Sequence, residues 1–289
     1  MSTAEIPFPR QKRRRHGRLP FSPLHLFLMP TALVFTLPLL YMVSSSFMSK
    51  EEIIRGRTSP NLIPDHFTLS GYRYVFEKTS FPHWFMNSVI VSLIAVIGHL
   101  VLCSLAGYAF SRIRFRGRGV AFGVIAATIM IPYPVLMIPT YRLFNQINII
   151  DTLAAAFVPW LASAFGVFLM RQFFVNLPKE LEDAALMDGC SRFKVFLHVI
   201  LPLAKPALAT LAIFTLLSSW NDLIWPLLAL SSDDAYTLQR GIQTFQSQKK
   251  TEYAALMASN AMVTVPMVVA FMVAQRRFIE TMSFAGLKG

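Results

Sequence analysis

Charge is scarce in this 289-residue sequence: Asp, Glu, Lys and Arg make up 15% of it, where a water-soluble domain carries about 25%. With 54% apolar residues beside that deficit, the chain lacks the polar surface that water requires, and its composition is that of a membrane protein. Cysteine is also nearly absent. Cys103 lies in an apolar run and Cys190 in a polar loop, which excludes a disulfide-framed secreted fold. No Gly-x-x-x-x-Gly-Lys-Ser/Thr loop occurs, so a nucleotide phosphate cradle of that type is excluded. Neither His-Glu-x-x-His nor Cys-x-x-Cys occurs, which removes the common metal spacings. The six histidines are scattered; only His99 falls deep in an apolar run, and without a Gly-x-Ser-x-Gly partner it reads as a packing or hydrogen-bonding residue. Nothing in the sequence argues for an enzyme. The net charge of +12 comes from basic residues that flank apolar runs, with no continuous basic face and no nucleic-acid motif, so nucleic acid is not an expected partner.

What the sequence has in quantity is long apolar runs. Crossing a hydrocarbon layer of about 30 Å takes roughly 20 mostly apolar residues. Six stretches qualify: Leu24–Phe47, Phe85–Phe110, Val120–Pro139, Leu153–Phe173, Pro206–Leu228 and Leu256–Gln275. The first is too long for a cleaved signal core and reads as a retained anchor. The expected fold is therefore an all-α integral membrane protein: a basic tail (1–23), a six-span domain (24–280) and a C-terminal tail (281–289). If both termini are cytoplasmic, 18 of the 27 Lys and Arg residues lie inside, among them the cluster Arg10–Arg18. That bias obeys the positive-inside rule, and anionic lipid reinforces it. Prolines recur within the runs (Pro30, Pro38, Pro132, Pro134, Pro159, Pro226, Pro266) and predict kinked helices. Gly119-x-x-x-Gly123 would permit a close helix contact.

The most informative segment is Asn176–Pro206, a cytoplasmic loop in this topology. Pro178 suits a helix start, Glu180, Glu182 and Asp183 complement the helix dipole, and Gly189 is a natural left-handed cap. Ser191 then caps a second helix with Phe193, Phe196, Leu197 and Ile200 on one stripe, ended by Pro202 and Pro206. Two readings fit a short exposed helix with acids at its start and alanines on one face. It either seats in a partner's groove or lies on the lipid surface.

The pattern Asp183-Ala184-Ala185-x-x-Asp188-Gly189, followed after eleven residues by Leu201-Pro202-Leu203-x-x-Pro206, resembles the Glu-Ala-Ala signature of ATP-binding-cassette importer permeases. Asp183 stands where that family usually has Glu, with Glu182 beside it, and Cys190 stands where a smaller residue is usual. Trp84–Ser88, Ala109–Arg118, Trp220–Pro226 and Ala285–Gly289 extend the resemblance to the binding-protein-dependent carbohydrate subfamily, in particular the six-span permease of the maltose type.

The resemblance implies a bacterial inner-membrane permease that works with a second permease chain, two copies of an ATPase and an extracytoplasmic substrate-binding protein. ATP and Mg are then expected on the ATPase, and no cofactor on this chain. It further implies that Glu182, Asp183, Ala184, Ala185, Asp188, Gly189 and Pro202 form the loop that couples to the ATPase. Trp220, Asn221 and Asp222 are candidates for lining the pathway of a sugar-like solute, with a structural hydrogen bond the alternative for Asp222. Gly286, Leu287, Lys288 and Gly289 are candidates for a tail that reaches the ATPase, or else a frayed end. Two rival readings stay open. A secondary transporter should show repeated halves and coupling ions, and an amino-acid or peptide importer would share the signature loop.

Overall fold

A computed structural model describes residues 23–56, 62–246 and 251–286. Those residues form helices and contain no β-strand, only a backbone bridge between Gln246 and Thr251. The cluster Arg10–Arg18 and the tail residues Leu287–Gly289 lie outside the described residues.

The described residues open with α1 (Pro23–Ser45), then the short α2 (Lys50–Arg55) and α3 (Ser70–Lys78). The central element is α4 (Phe81–Arg112), whose 32 residues span about 48 Å, more than the hydrocarbon thickness. Ser88, Ser92, Ala95, His99, Cys103 and Gly107 are buried at intervals of three or four residues along it, a single helix face. Small and weakly polar side chains on that face let neighbouring helices approach closely.

The chain continues with α5 (Arg118–Thr128), α6 (Tyr133–Gln146), α7 (Leu153–Phe157) and α8 (Ala164–Val175). Where α4 crosses α8, a Cβ added at Gly107 would meet Met170 Cβ at 2.7 Å, so the two backbones need glycine there. A Cβ added at Gly119 or Gly123, by contrast, would meet no neighbouring element within 4 Å, and the close contact they would permit does not form among the described residues.

Two of the six expected spans are sharply bent, and a third, Leu153–Phe173, is interrupted. The run Val120–Pro139 is broken between α5 and α6, which meet at 102°. Pro132 is extended (φ −60°, ψ 131°) and Pro134 sits in the first turn of α6, so two backbone donors are missing where a straight helix would need them. The run Pro206–Leu228 also divides. It begins after α9 (Glu180–Met187), α10 (Arg192–Val195), a π-helical stretch Phe196–Ile200 and α11 (Leu201–Leu203). A 78° bend at Ala204 then leads into α12 (Lys205–Trp220), which stops eight residues before Leu228, and Ile224–Ala229 forms a separate α13. Pro202 does not end its helix as expected; the π-helical widening directly precedes it and the helix runs to Leu203. After α14 (Leu238–Gln243), α15 (Tyr253–Gly286) closes the fold.

Among the described residues, four stretches are long and apolar enough to cross a membrane: Leu24–Ser45, Phe81–Arg112, Leu153–Val175 and Tyr253–Met272. The count is six if each bent pair makes one span. Two apolar cores hold the helices together. One surrounds Trp84, Trp225 and Leu238 near the start of α4; the other surrounds Tyr108, Met170, Phe174 and Ile200 near its end.

Within Leu153–Val175 the helix is interrupted at Leu161–Ser163, and His99 repairs the break. Its Nδ1 lies 2.6 Å from the Trp160 carbonyl and its Nε2 lies 2.8 Å from Ser163 Oγ. Since a carbonyl only accepts, Nδ1 carries the proton and Nε2 accepts from the serine hydroxyl. Ser163 Oγ in turn caps α8 by accepting from Gly166 N at 3.0 Å. His99 is thus the hydrogen-bonding residue the sequence suggested.

Candidate functional site

The segment singled out by the sequence forms a two-faced helix. In α9, Leu181, Asp183, Ala184, Met187 and Asp188, the last just past its end, are exposed, while Glu182 is buried and Ala185 and Leu186 are half-buried. Those inner positions are spaced i, i+3 and i+4, which turns one side of the helix toward the bundle. The helix is eight residues long, beginning at Glu180 two residues after Pro178. Gly189 has φ +82°, the left-handed conformation expected of its cap, and Ser191 Oγ accepts from Lys194 N at 3.4 Å to open α10.

What fixes this helix is Glu182. Its Oε1 lies 2.8 Å from Arg112 Nε, and the two side chains are only 8% and 4% exposed. The contact is an ion pair off the N–H axis, with no aligned hydrogen bond between these two atoms. Tyr108 Oη donates weakly to Glu182 Oε2 at 3.5 Å. Arg112 Nη2 donates to the carbonyls of Phe174 and Leu177, both at 2.6 Å. The guanidinium therefore ties the end of α4, the end of α8 and the start of α9 into one knot. Sequence reasoning assigned Arg112 only a topological role and did not single out Tyr108. The signal that could have found them is Glu182 itself, an acid on the inner face of an amphipathic helix that needs a buried cation.

The candidate pathway residues separate. Trp220 is 5% exposed, packs edge-on against Phe85 at 5.7 Å between ring centroids, and leaves Nε1 without a hydrogen-bond partner among the described residues. It lines an apolar groove of about 320 Å³ with Phe85, Val89, Pro266 and Met267. Asn221 is exposed, its Nδ2 donating to the Leu217 carbonyl at 2.8 Å. Asp222 is half-buried and accepts from Trp160 Nε1 at 3.1 Å and from Trp225 N at 3.4 Å. Its carboxylate thus fastens the end of α12 to the interrupted fourth stretch. Pro202 lies in the first turn of α11, just before the bend. Gly286 ends α15, and Leu287, Lys288 and Gly289 lie outside the described residues.

At the opposite end of α4, the segment Trp84–Ser88 pins the chain between α13 and α14. Trp84 Nε1 donates to Asp233 Oδ1 at 3.1 Å, Asn87 Nδ2 to the carbonyls of Asp234 and Tyr236, and Leu238 N to Ser88 Oγ. From the next loop, Asp151 Oδ1 accepts from Ser231 N and Ser232 N at 2.7 and 2.9 Å. Burial pushes its carboxyl up, but those backbone donors outweigh it and hold the group below the ordinary aspartate value.

Comparison with known proteins agrees with this architecture. A family model described as binding-protein-dependent transport system inner membrane component matches residues 100–283. The chain is 36% identical over 259 residues to the arabinooligosaccharides transport system permease protein AraQ of Halalkalibacterium halodurans, covering 89% of this chain and 93% of that one. It is 31% identical over 246 residues to the lactose transport system permease protein LacG of Rhizobium radiobacter, covering 85% and 88%. Its fold matches a chain of a bacterial ABC transporter involved in the import of the acidic polysaccharide alginate, with TM-score 0.78 and 24% identity, over 89% of this chain and 99% of that one.

Proposed function

The chain belongs to the family of binding-protein-dependent transport system inner membrane components, and from that premise we propose that it carries a sugar-like solute delivered by an external binding protein, driven by a separate ATPase. The observation that carries this reading is the division of labour in α9. Its inner side is locked to the bundle through Glu182 and Arg112, and its outer side presents Leu181, Ala184 and Met187 unburied. A short helix held rigidly from behind, with small and apolar residues outward, suits a groove in a partner.

In this reading each bent pair makes one span, giving six, with both termini cytoplasmic. A second permease chain completes the pathway, and two ATPase copies seat the α9 helices of the two permeases. Asp183, Ala184, Asp188 and Gly189 form the docking side of the loop, Ala185 packs on its inner side, Glu182 anchors it, and the bend after Pro202 passes its movement to α12. ATP and Mg act on the ATPase, and this chain contributes different contacts to two states of the pathway. Trp220 and Asn221 line that pathway; the buried, unpartnered Nε1 of Trp220 is a donor that a solute hydroxyl or the second permease would satisfy. Asp222 positions the break between α12 and α13. The tail from Gly286 to Gly289 reaches toward the ATPase. The carbohydrate named in several relatives supports a sugar as solute.

Affinity purification of the tagged chain from its native membrane tests this reading. An ATPase and a second permease are expected to co-purify, and the reconstituted complex should hydrolyse ATP faster when a sugar-loaded binding protein is added. A chain that purifies alone and moves solute with an ion gradient would overturn it.

A further inference from the structure

A cavity of about 470 Å³ opens at the C-terminal end of α4, between the knot at Arg112 and the start of α9. Arg112, Arg114, Arg118, Lys179 and Arg192 line it, against the carboxylates of Glu182 and Asp183. One cation is balanced internally, since Arg112 pairs with Glu182. Arg118 donates to the Ile113 carbonyl at 3.2 Å, which leaves its charge uncompensated. Arg114, Lys179 and Arg192 make no ion pair or side-chain hydrogen bond among the described residues. Four cations thus face a single unpaired carboxylate, Asp183. Like charges gathered around a concave site focus a positive potential into it.

The position of the cavity says which anion it meets. In the six-span reading the apolar run of α4 ends at Phe110, two residues before Arg112, which puts the cavity at headgroup depth. Beside it, Phe115, Val120 and Val124 are exposed and apolar, a surface suited to acyl chains. The space exceeds the roughly 30 Å³ share of one water many times over. Guanidinium groups bind phosphate oxygens in pairs with charge-assisted hydrogen bonds.

We propose that this cavity is a binding site for a phosphate-bearing anion, supplied as the headgroup of an anionic phospholipid. A zwitterionic headgroup offers the same phosphate together with an ammonium that four cations repel, so the site should discriminate between them. The proposal requires that the partner seated on the outer side of α9 leave this cavity open.

Native mass spectrometry of the detergent-purified whole complex tests it, with phosphatidylglycerol, phosphatidylcholine and inorganic phosphate as probes. Phosphatidylglycerol is expected to be retained and phosphatidylcholine to be lost. The triple variant Arg114→Gln/Lys179→Gln/Arg192→Gln should bind phosphatidylglycerol about 100-fold more weakly, at about fivefold per cation. Arg142→Gln, far along the chain in α6, should leave binding unchanged. Equal retention of the two lipids, or full affinity in the triple variant, overturns the site. Displacement of phosphatidylglycerol by stoichiometric inorganic phosphate would make the source a free anion and overturn the lipid assignment. A zero-length cross-link from Lys179 to a carboxylate of another subunit would show that protein covers the cavity, and would overturn it too. Should the triple variant fail to assemble, photoactivatable phosphatidylglycerol on the unaltered complex decides. Label on peptides 112–118 or 179–192 supports the site, and label confined elsewhere refutes it.

Discussion

Replacing Glu182 by Ala separates anchoring from docking. The substitution leaves the Arg112 guanidinium, 4% exposed, without its carboxylate. Breaking a buried pair by removing one partner costs about 3–5 kcal/mol, because the remaining charge stays buried. Arg112 keeps the Phe174 and Leu177 carbonyls, so the lower end, about 3 kcal/mol, is expected. Glu182→Ala should therefore lower the unfolding midpoint of the purified complex in detergent and weaken uptake. Asp183→Asn, on the exposed side, should leave the midpoint unchanged to within about 0.5 kcal/mol. A double-mutant cycle with Arg112→Met and Glu182→Met should give a coupling above about 1 kcal/mol, since the paired apolar replacement removes both buried charges. Unaltered stability in Glu182→Ala, or additive effects in the cycle, would refute the anchoring role.

Gly189 has φ +82° and open space within 4 Å of where a Cβ would stand, so any cost of substitution is backbone strain and not crowding. Gly189→Val, at a conformation costing about 1–2 kcal/mol for an L-residue, should let ATP hydrolysis run without uptake, whereas Gly189→Asn should retain most uptake; equal behaviour of the two contradicts this. His99→Leu leaves the part-buried Trp160 carbonyl without its donor and should destabilise the chain by about 1–3 kcal/mol in detergent unfolding, and an unchanged midpoint would show the break is held otherwise. The Asp151 carboxyl is held down by the backbone donors of Ser231 and Ser232, so its contribution is present above the unfolded value and lost as pH falls through the lower folded one. The amide protection factors of residues 229–237, with the intrinsic slowing of exchange at low pH divided out, should accordingly fall on acidification in the unaltered chain. In Asp151→Ala they should be low throughout, and a matching acid transition in that variant would refute the assignment.

Features that depend on neighbours in sequence are legible in the sequence itself. Hydropathy locates all the apolar stretches, because a span is a local property. The cap at Gly189 and the start at Ser191 are also readable, since each needs only one residue's conformation or a hydroxyl three residues from a free N–H. The breaks are harder. Pro132 and Pro134 announce a kink, but kinked and turned helices share a composition, and the 102° angle depends on what α5 and α6 pack against. The division after Trp220 is hidden because Leu223–Leu228 is apolar enough to extend a span, while Asp222 stops the helix by holding Trp160 from 62 positions away.

The candidate site shows the same limit. Its exposed face can be read from one helix period, but its anchor cannot. Arg112 is 70 positions before Glu182 and reads in sequence as one more basic residue at a membrane edge. The segment Trp84–Ser88 stands out in sequence only as a likeness. Its role, clamping residues 233–238, needs a contact almost 150 positions distant.

The most direct measurement places a photo-cross-linking residue at Met187, 88% exposed on the outer side of α9, and at Arg142 as a reference, in the assembled transporter. The account predicts a cross-link from position 187 to the ATPase whose yield changes when ATP is bound, and none from position 142. Attachment of position 187 to lipid alone, or to an extracytoplasmic protein, would contradict it.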